Sequence, residues 1–206
     1  MMLRPAYPIS TARLTLRPYT ADDLDDLYDI QSRPEVTRYL LFGTRDRDEV
    51  RASLEEKIKA SVLEDEGGNL TLAVVLPGSG TVIGDVTLFW TSRRHRQGEI
   101  GYAFHPDHAG KGYATEAAQV MLRLGFDGLG LHRIVGRLDG RNTASARVLE
   151  RLGMRREAHF VQNEFIKGEW TDEIVYATLR GEWRERCPGE QGRPTELPAD
   201  QQRHRA

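Results

Sequence analysis

The sequence predicts an α/β domain built on a single mixed, mostly antiparallel central sheet of about seven strands flanked by helices. Three observations carry this expectation. Segments that alternate with period two are interleaved with segments whose apolar residues recur every three or four positions. Two pairs of strand-like segments are joined by short turn sequences, Pro77-Gly78-Ser79-Gly80 and Lys167-Gly168-Glu169-Trp170, which mark hairpins. The stretch 99–116, EIGYAFHPDHAGKGYATE, leaves an apolar strand, passes a glycine pair and enters a helix.

A chain of 206 residues with 39% hydrophobic and 29% charged residues suits one domain with a substantial core. A formal charge of −2 gives no bulk electrostatic case for nucleic acid or a membrane surface. The one cysteine, Cys187, cannot close an internal disulfide, which fits a reducing compartment. The N-terminal MMLRPAYPISTARL lacks the apolar centre of a signal peptide, and no apolar run is long enough to span a bilayer. The expectation is a cytoplasmic protein with no membrane and no direct nucleic-acid partner.

Residues 1–9 read as a lead-in, and residues 10–186 as the domain. Residues 13–17 alternate as a half-buried strand. Thr20 or Asp22 can cap a helix carrying Leu24, Leu27 and Ile30 at helical spacing. Its acids Asp22, Asp23, Asp25, Asp26 and Asp29 read as a solvated face. Pro34 interrupts the next segment, which ends at residues 39–43. A second helix is expected from 46 to 65, with Val50, Leu54, Ile58 and Val62 four apart. Residues 69–76 and 81–90 form the first hairpin, with Gly84 marking a bulge or a close backbone approach. Arg93, Arg94, His95 and Arg96 read as a charged hairpin tip.

After the glycine pair, Ala114, Ala117, Ala118, Met121, Leu122 and Phe126 give an amphipathic helix whose small residues let it sit close to a sheet. A short strand follows at 134–138 and a short helix at 142–152, closed by Gly153. Strands at 154–162 and 171–180 complete the second hairpin. From 187 to 206 the chain turns to Pro, Gly, Glu, Gln and Arg, the composition of a disordered tail.

Chemistry concentrates at Gly110-Lys111-Gly112-Tyr113-Ala114. Glycines at a strand-to-helix junction let backbone amides approach a bound group, and a helix start presents unpaired N–H donors with positive dipole character. A phosphate or pyrophosphate suits that place, with Lys111 adding a cation. The spacing fits neither the P-loop nor the dinucleotide fingerprint. His105 and His108 lie three apart, but only Asp107 accompanies them, so no metal is expected.

GYAFHPDHAGKGYATEA resembles motif A of the GNAT acyltransferases, the GCN-related N-acetyltransferase superfamily, which grips the pyrophosphate of acetyl-CoA. It is most similar to the Rim type, which acetylates N-terminal amines of ribosomal proteins. RLTLRPYTADDLDDLYDI, VIGDVTLFW, NTASARVLERLGM and GEWTDEIVYATLRGEW resemble the same family in the same order, covering roughly residues 10–184. The resemblance implies the GNAT acyl-CoA N-acyltransferase fold and transfer of an acetyl group from acetyl-CoA to a primary amine. It implies a protein N-terminal α-amine as the first acceptor. A polyamine, an aminoglycoside or an amino-acid derivative is the alternative, and a non-catalytic acyl-CoA sensor the rival from another class. A homodimer would follow family habit.

By the same resemblance, Tyr102, Ala103 and Phe104 would offer strand amides to the pantetheine arm. Ala109, Gly110, Lys111, Gly112, Tyr113, Ala114 and Thr115 would hold the pyrophosphate. Asn142 would bond the pantetheine, and Ser145 would lie near the sulfur. Glu99 would be the base, or would order a relaying water; its bland alternative is a strand-edge carboxylate paired with one of the arginines at 93–96. The helical pair after the first strand borders the acceptor cleft in this family, so Tyr39, Leu41 and Phe42 become candidate wall residues, or else core. Trp170 and Tyr176 can face the cleft or pack in the hairpin. With the sole cysteine in the tail, direct attack in a ternary complex is expected rather than a cysteine-linked intermediate. Two departures stand out. Ala109 replaces the usual Gln or Arg that opens motif A, and Leu149 stands where many relatives place a tyrosine acid, which shifts that role to Ser145 or solvent.

Overall fold

In the computed structural model, which describes residues 2–186, eight strands form one sheet. They are β1 (Ile9–Ser10), β2 (Thr15–Arg17), β3 (Asn69–Val75), β4 (Val82–Ser92), β5 (Gln97–Phe104), β6 (Arg133–Asp139), β7 (Arg155–Ile166) and β8 (Glu169–Leu179), in the order β1-β2-β3-β4-β5-β6-β8-β7. Every neighbouring pair is antiparallel except β5 and β6. The strand beyond the expected seven is the two-residue β1. The tail expected over 187–206 lies outside the described residues.

Six α-helices flank the sheet among the described residues: α1 (Leu24–Gln31), α2 (Pro34–Thr37), α3 (Arg47–Lys59), α4 (Tyr113–Arg123), α5 (Thr143–Arg151) and α6 (Arg180–Arg186). None is long and apolar enough to cross a membrane. On one face, Leu72, Ile83, Val86, Leu88 and Ile100 pack with Ala117, Ala118, Met121 and Phe126 from α4 and its extension. On the other, Leu27, Ile30, Val50 and Leu54 of α1 and α3 cover Ala73, Val75 and Val82. That second layer stops short of β5 and β6.

Several elements differ from the sequence expectation for identifiable reasons. The helix expected to 65 ends at Lys59, where the Ala60 carbonyl accepts from Thr71 N and Leu63 turns in to bridge Leu3. Asp46 caps it instead of joining it, accepting from Asp48 N and Glu49 N while Glu49 reaches back. Burying Leu3 and Leu63 ties the lead-in to the core. Pro34 starts the unforeseen four-residue α2, a position where its missing N–H costs nothing. The acids of α1 are more than a solvated face: Asp23 pairs with Arg17, Asp26 accepts from Val82 N at 2.7 Å, and Asp29 lies 3.0 Å from His105 Nε2.

Gly84 does mark a close approach. A Cβ there would sit 2.5 Å from the Ala103 carbonyl oxygen, and the β3–β4 register shifts beside it. The second hairpin turns through Lys167 (φ 51°) and Gly168 (φ 86°), the two positive-φ positions of a tight β-turn.

Candidate active site

β5 and β6 pair only from Gln97↔Arg133 to Glu99↔Val135. Beyond Glu99 each strand follows its outer neighbour: β5 stays with β4 as far as Phe104↔Gly84, and β6 stays with β8 as far as Asp139↔Glu173. The two strands therefore part. Ile100 to Phe104 and Gly136 to Leu138 become opposite walls of a cleft of about 570 Å³. Edges split in this way leave main-chain groups that the sheet does not pair, which an amide-bearing arm can use as a strand would.

The glycine loop closes one end of the cleft. Ala109, Gly110, Gly112, Tyr113, Ala114 and Thr115 line it. Gly110 (φ 74°) and Gly112 (φ 81°) adopt left-handed backbone, and Gly112 is the residue from which α4 starts. The first-turn amides of α4 therefore face outward with the positive end of the helix dipole behind them. The Thr115 hydroxyl and His108 Nδ1 are buried with no hydrogen-bond partner among the described residues, and both residues line the cleft. A phosphate-bearing ligand suits these orphaned groups. Lys111 points into a neighbouring groove, its ammonium donating to the Asp107 carbonyl at 3.0 Å.

A clamp from the start of the chain holds this loop. Arg13 Nη1 donates to the Lys111 carbonyl at 2.8 Å, and its Nε donates to Glu116 Oε2 at 2.7 Å. Glu116 Oε1 also accepts from Arg13 N at 2.9 Å and from the Thr11 hydroxyl at 2.6 Å. Burial works to raise the Glu116 carboxyl, but Thr11 and Arg13 overcome it and hold the group below the usual glutamate range.

Glu99 occupies the last paired position before the split, outside the main cavity wall. Its partner is Arg137 of β6, at 3.3 Å from Nε, and none of the arginines at 93–96. Burial raises the Glu99 carboxyl above its ordinary value, Arg137 opposes this, and Glu173 adds to it. A carboxylate made reluctant to lose its proton binds one more readily, which suits a general base.

On the opposite wall, the Asn142 side chain caps α5, accepting from Ser145 N at 3.0 Å. This occupies Oδ1 and leaves Nδ2 as the group Asn142 can offer the cleft. Ser145 lines the cleft, and its carbonyl accepts from the Tyr102 hydroxyl at 2.9 Å, a bond spanning the two walls. Leu149 is buried against Gly136 and brings no acid. Tyr102, Ala103 and Phe104 all line the cleft.

The acceptor-wall residues divide. Tyr39 lines the cleft, with the Arg38 and Arg141 guanidinium groups 5.2 and 6.0 Å from its ring centroid. Leu41 is 76% exposed and Phe42 lies under the Arg45 guanidinium at 3.7 Å, so neither is in the cavity wall. Trp170 is 60% exposed and packs on Phe165 at the hairpin rim, outside the wall. Tyr176 is buried on the far side, bonded to Glu150. What spans the space is Lys167, whose ammonium reaches the Thr37 and Arg38 carbonyls at 2.5 and 3.2 Å and so latches the β7–β8 turn to the end of α2. Among the described residues no set of His, Cys, Asp or Glu is placed to hold a metal ion.

A family model described as an acetyltransferase (GNAT) domain matches residues 13–155. The chain belongs to the GNAT acetyltransferase family. It is an acetyl-CoA-dependent N-acetyltransferase of that class. An uncharacterized N-acetyltransferase, YnaD of Bacillus subtilis (strain 168), is 35% identical over 176 residues, covering 85% of this chain and 98% of the relative. A spermidine N(1)-acetyltransferase of Escherichia coli (strain K12) is 25% identical over 167 residues, covering 80% and 85%. The crystal structure of a GNAT-family acetyltransferase from Bacillus anthracis matches with a TM-score of 0.76 at 31% identity, over 88% of this chain and 100% of that one.

Arg13, Glu116, Arg137 and Lys167 are contributors that sequence reasoning missed. Arg13 and Glu116 are 103 positions apart, and Lys167 is 130 from Thr37, so no local pattern connects them. Arg137 does carry a local signal: it is a charged residue in the interior of β6, between Gly136 and Leu138.

Proposed function

We propose that the enzyme acetylates a primary amine by direct attack in a ternary complex, with Glu99 as base and Ser145 beside the leaving sulfur. The observation that carries this reading is the cleft itself: a glycine-loop helix start at one end, parted strand edges in the middle, and a desolvated glutamate at the point of parting. In this scheme acetyl-CoA supplies the thioester whose carbonyl carbon accepts the amine and whose C–S bond then breaks. Glycine-loop amides and the Thr115 hydroxyl hold the phosphates. Main-chain groups of Tyr102 to Phe104 and the Asn142 amide align the pantetheine arm, and a strand amide donates to the developing oxyanion. Glu99 takes one proton from the acceptor ammonium, directly or through water, freeing the lone pair that forms the new C–N bond. Once bonded, the nitrogen sheds its second proton as the C–S bond breaks. The Ser145 hydroxyl donates a hydrogen bond to the departing thiolate, and that second proton, carried by solvent, completes the thiol.

For the acceptor, the surroundings of Glu99 support a small cationic amine best. Glu99, Glu164 and Glu173 outnumber Arg137 there, and the Lys167 latch narrows the approach. Similarity to a spermidine N(1)-acetyltransferase agrees. An N-terminal α-amine of a protein, which the Rim-type resemblance favours, is the second reading. It is supported by exposed Leu41, Phe165 and Trp170 on either side of the latch, which give a peptide apolar purchase. An α-amine, with a pKa of about 8, also asks less of the base than a lysine amine at about 10.4. Thiol release from acetyl-CoA against spermidine, an aminoglycoside and short peptides tests the readings: release with the polyamine alone supports the first, and with peptides alone the second. Glu99→Gln lowers kcat by about 100-fold or more if the carboxylate is the base.

A further inference from the structure

Glu99 is one end of a polar chain with a member on each of four strands, β5, β6, β8 and β7. Arg137 Nε lies 3.3 Å from Glu99 Oε2, and Arg137 Nη1 donates to Glu173 Oε1 at 3.0 Å. Asn163 Nδ2 of β7 then donates to Glu173 Oε2 at 3.0 Å. Parallel pairing of β5 with β6 and antiparallel pairing of β6 with β8 bring these side chains to one face, on the side that α1 and α3 leave uncovered. We propose that Arg137, anchored by Glu173, is a positioning residue that orients the Glu99 carboxylate and sets the pH at which it can accept a proton. The inference rests on the reading of Glu99 as the base.

The two ends of the chain are unequal. The Glu173 side chain is only 8% exposed and is held by Asn163 as well, whereas Glu99 is more open and its contact with Arg137 is longer. A shared guanidinium follows its better-held partner, so Glu173 fixes where Arg137 sits and limits how much of its charge Glu99 feels. The groups facing Glu99 are Arg137 from β6, Glu173 from β8 and Glu164 from β7; its neighbour on β4 is the uncharged Phe89. Arg137 also lines the cleft at the point where the walls part, next to Gly136 and Leu138. A cation shared between two carboxylates acts on Glu99 according to how close the other carboxylate lets it come. Removing the cation must raise the pH at which Glu99 ionises. Removing the anchor must lower it, because one repelling charge goes and the guanidinium is released toward Glu99.

Opposite signs give the test. Carbon-13 carboxyl NMR of the free protein follows the Glu99 titration, with Glu99→Gln assigning the signal. Expected are a midpoint above the ordinary glutamate value in the parent, a higher one in Arg137→Met and a lower one in Glu173→Gln. Arg137→Lys moves the midpoint back toward the parent. The acid limb of kcat/KM for thiol release follows in the same directions, and Arg137→Met lowers kcat roughly ten- to a hundredfold through lost orientation. Midpoints that stay put, or that move the same way in Arg137→Met and Glu173→Gln, overturn the inference. Should Arg137→Met not fold, Glu173→Gln decides it by its lower midpoint, set against a midpoint near the parent's in Arg137→Lys. Full activity in Glu99→Gln overturns the reading of Glu99 itself, whatever the titrations show.

Discussion

A carboxylate at the last paired position of β5 is half withdrawn from water and tied to one arginine. Because burial raises its pKa, the acid limb of kcat/KM should lie above the ordinary glutamate range, and a pH–rate profile reads this directly. An acid limb at the ordinary glutamate value would contradict it. Ser145→Ala keeps the carbonyl that Tyr102 bonds and removes only the hydroxyl. A hydrogen bond to a charged group is worth about 1.5–3 kcal/mol, so kcat should fall roughly 10- to 100-fold with little change in acetyl-CoA affinity. At this scale the sequence was legible where a residue stands within a motif, as Gly112, Thr115 and Ser145 do. It was not legible for partners. Arg137 reaches Glu99 only because β5 and β6 are neighbours in the sheet, although the two residues are far apart along the chain. Leu41, Phe42 and Trp170 fell outside the wall because hydrophobicity marks a residue for some contact without saying which.

Helix α4 depends on an element nearly a hundred residues earlier. The turn between β1 and β2 delivers Thr11 and Arg13 to Glu116 in the first turn of α4 and to the carbonyl of Lys111. Where motif A lacks its opening side chain at Ala109, this clamp supports the loop from outside. Arg13→Ala should weaken coenzyme A binding by about 1 kcal/mol, roughly fivefold in Kd by calorimetry, since Arg13 is half exposed and its ion pair is screened. Unchanged affinity would show that the loop needs no support. The pH dependence follows from the lowered Glu116 pKa: the clamp's contribution to stability is complete above the unfolded-state glutamate value and is lost as pH falls through the lower folded value. Thermal unfolding of Glu116→Gln against the parent reads this as a stability gap that closes in acid. Gly84→Ala, with its added methyl 2.5 Å from the Ala103 carbonyl, should cost about 1–3 kcal/mol, because backbone cannot move aside as a side chain can. Periodicity located all the long elements. It overran α3 because Val62 continues the helical spacing, while burial of Leu63 against Leu3 decides where the chain turns.

The molecule as a whole is a sheet opened along one seam. β1 to β5 form one half, β6, β8 and β7 the other, and three paired residues join them. The seam has a closed end at Glu99, the glycine loop at its open end and Lys167 latched over one side. Lys167→Met should raise the KM for the acceptor while leaving that for acetyl-CoA nearly unchanged, since the latch touches α2 and not the glycine loop; initial-rate kinetics separates the two. Alternation of segments made the α/β class legible, and hairpin turns gave three of the seven pairings, β3–β4, β4–β5 and β7–β8. The seam was not legible, because a parallel contact of three residues leaves no mark in either strand's own pattern. The central claim is that this seam brings acetyl-CoA and an amine together at Glu99. Its most direct test is thiol release from acetyl-CoA across spermidine, an aminoglycoside and short peptides, parent and Glu99→Gln side by side. The account predicts release with one amine class and its loss, about 100-fold or more, in the variant with coenzyme A affinity retained. Equal release from both proteins would contradict it.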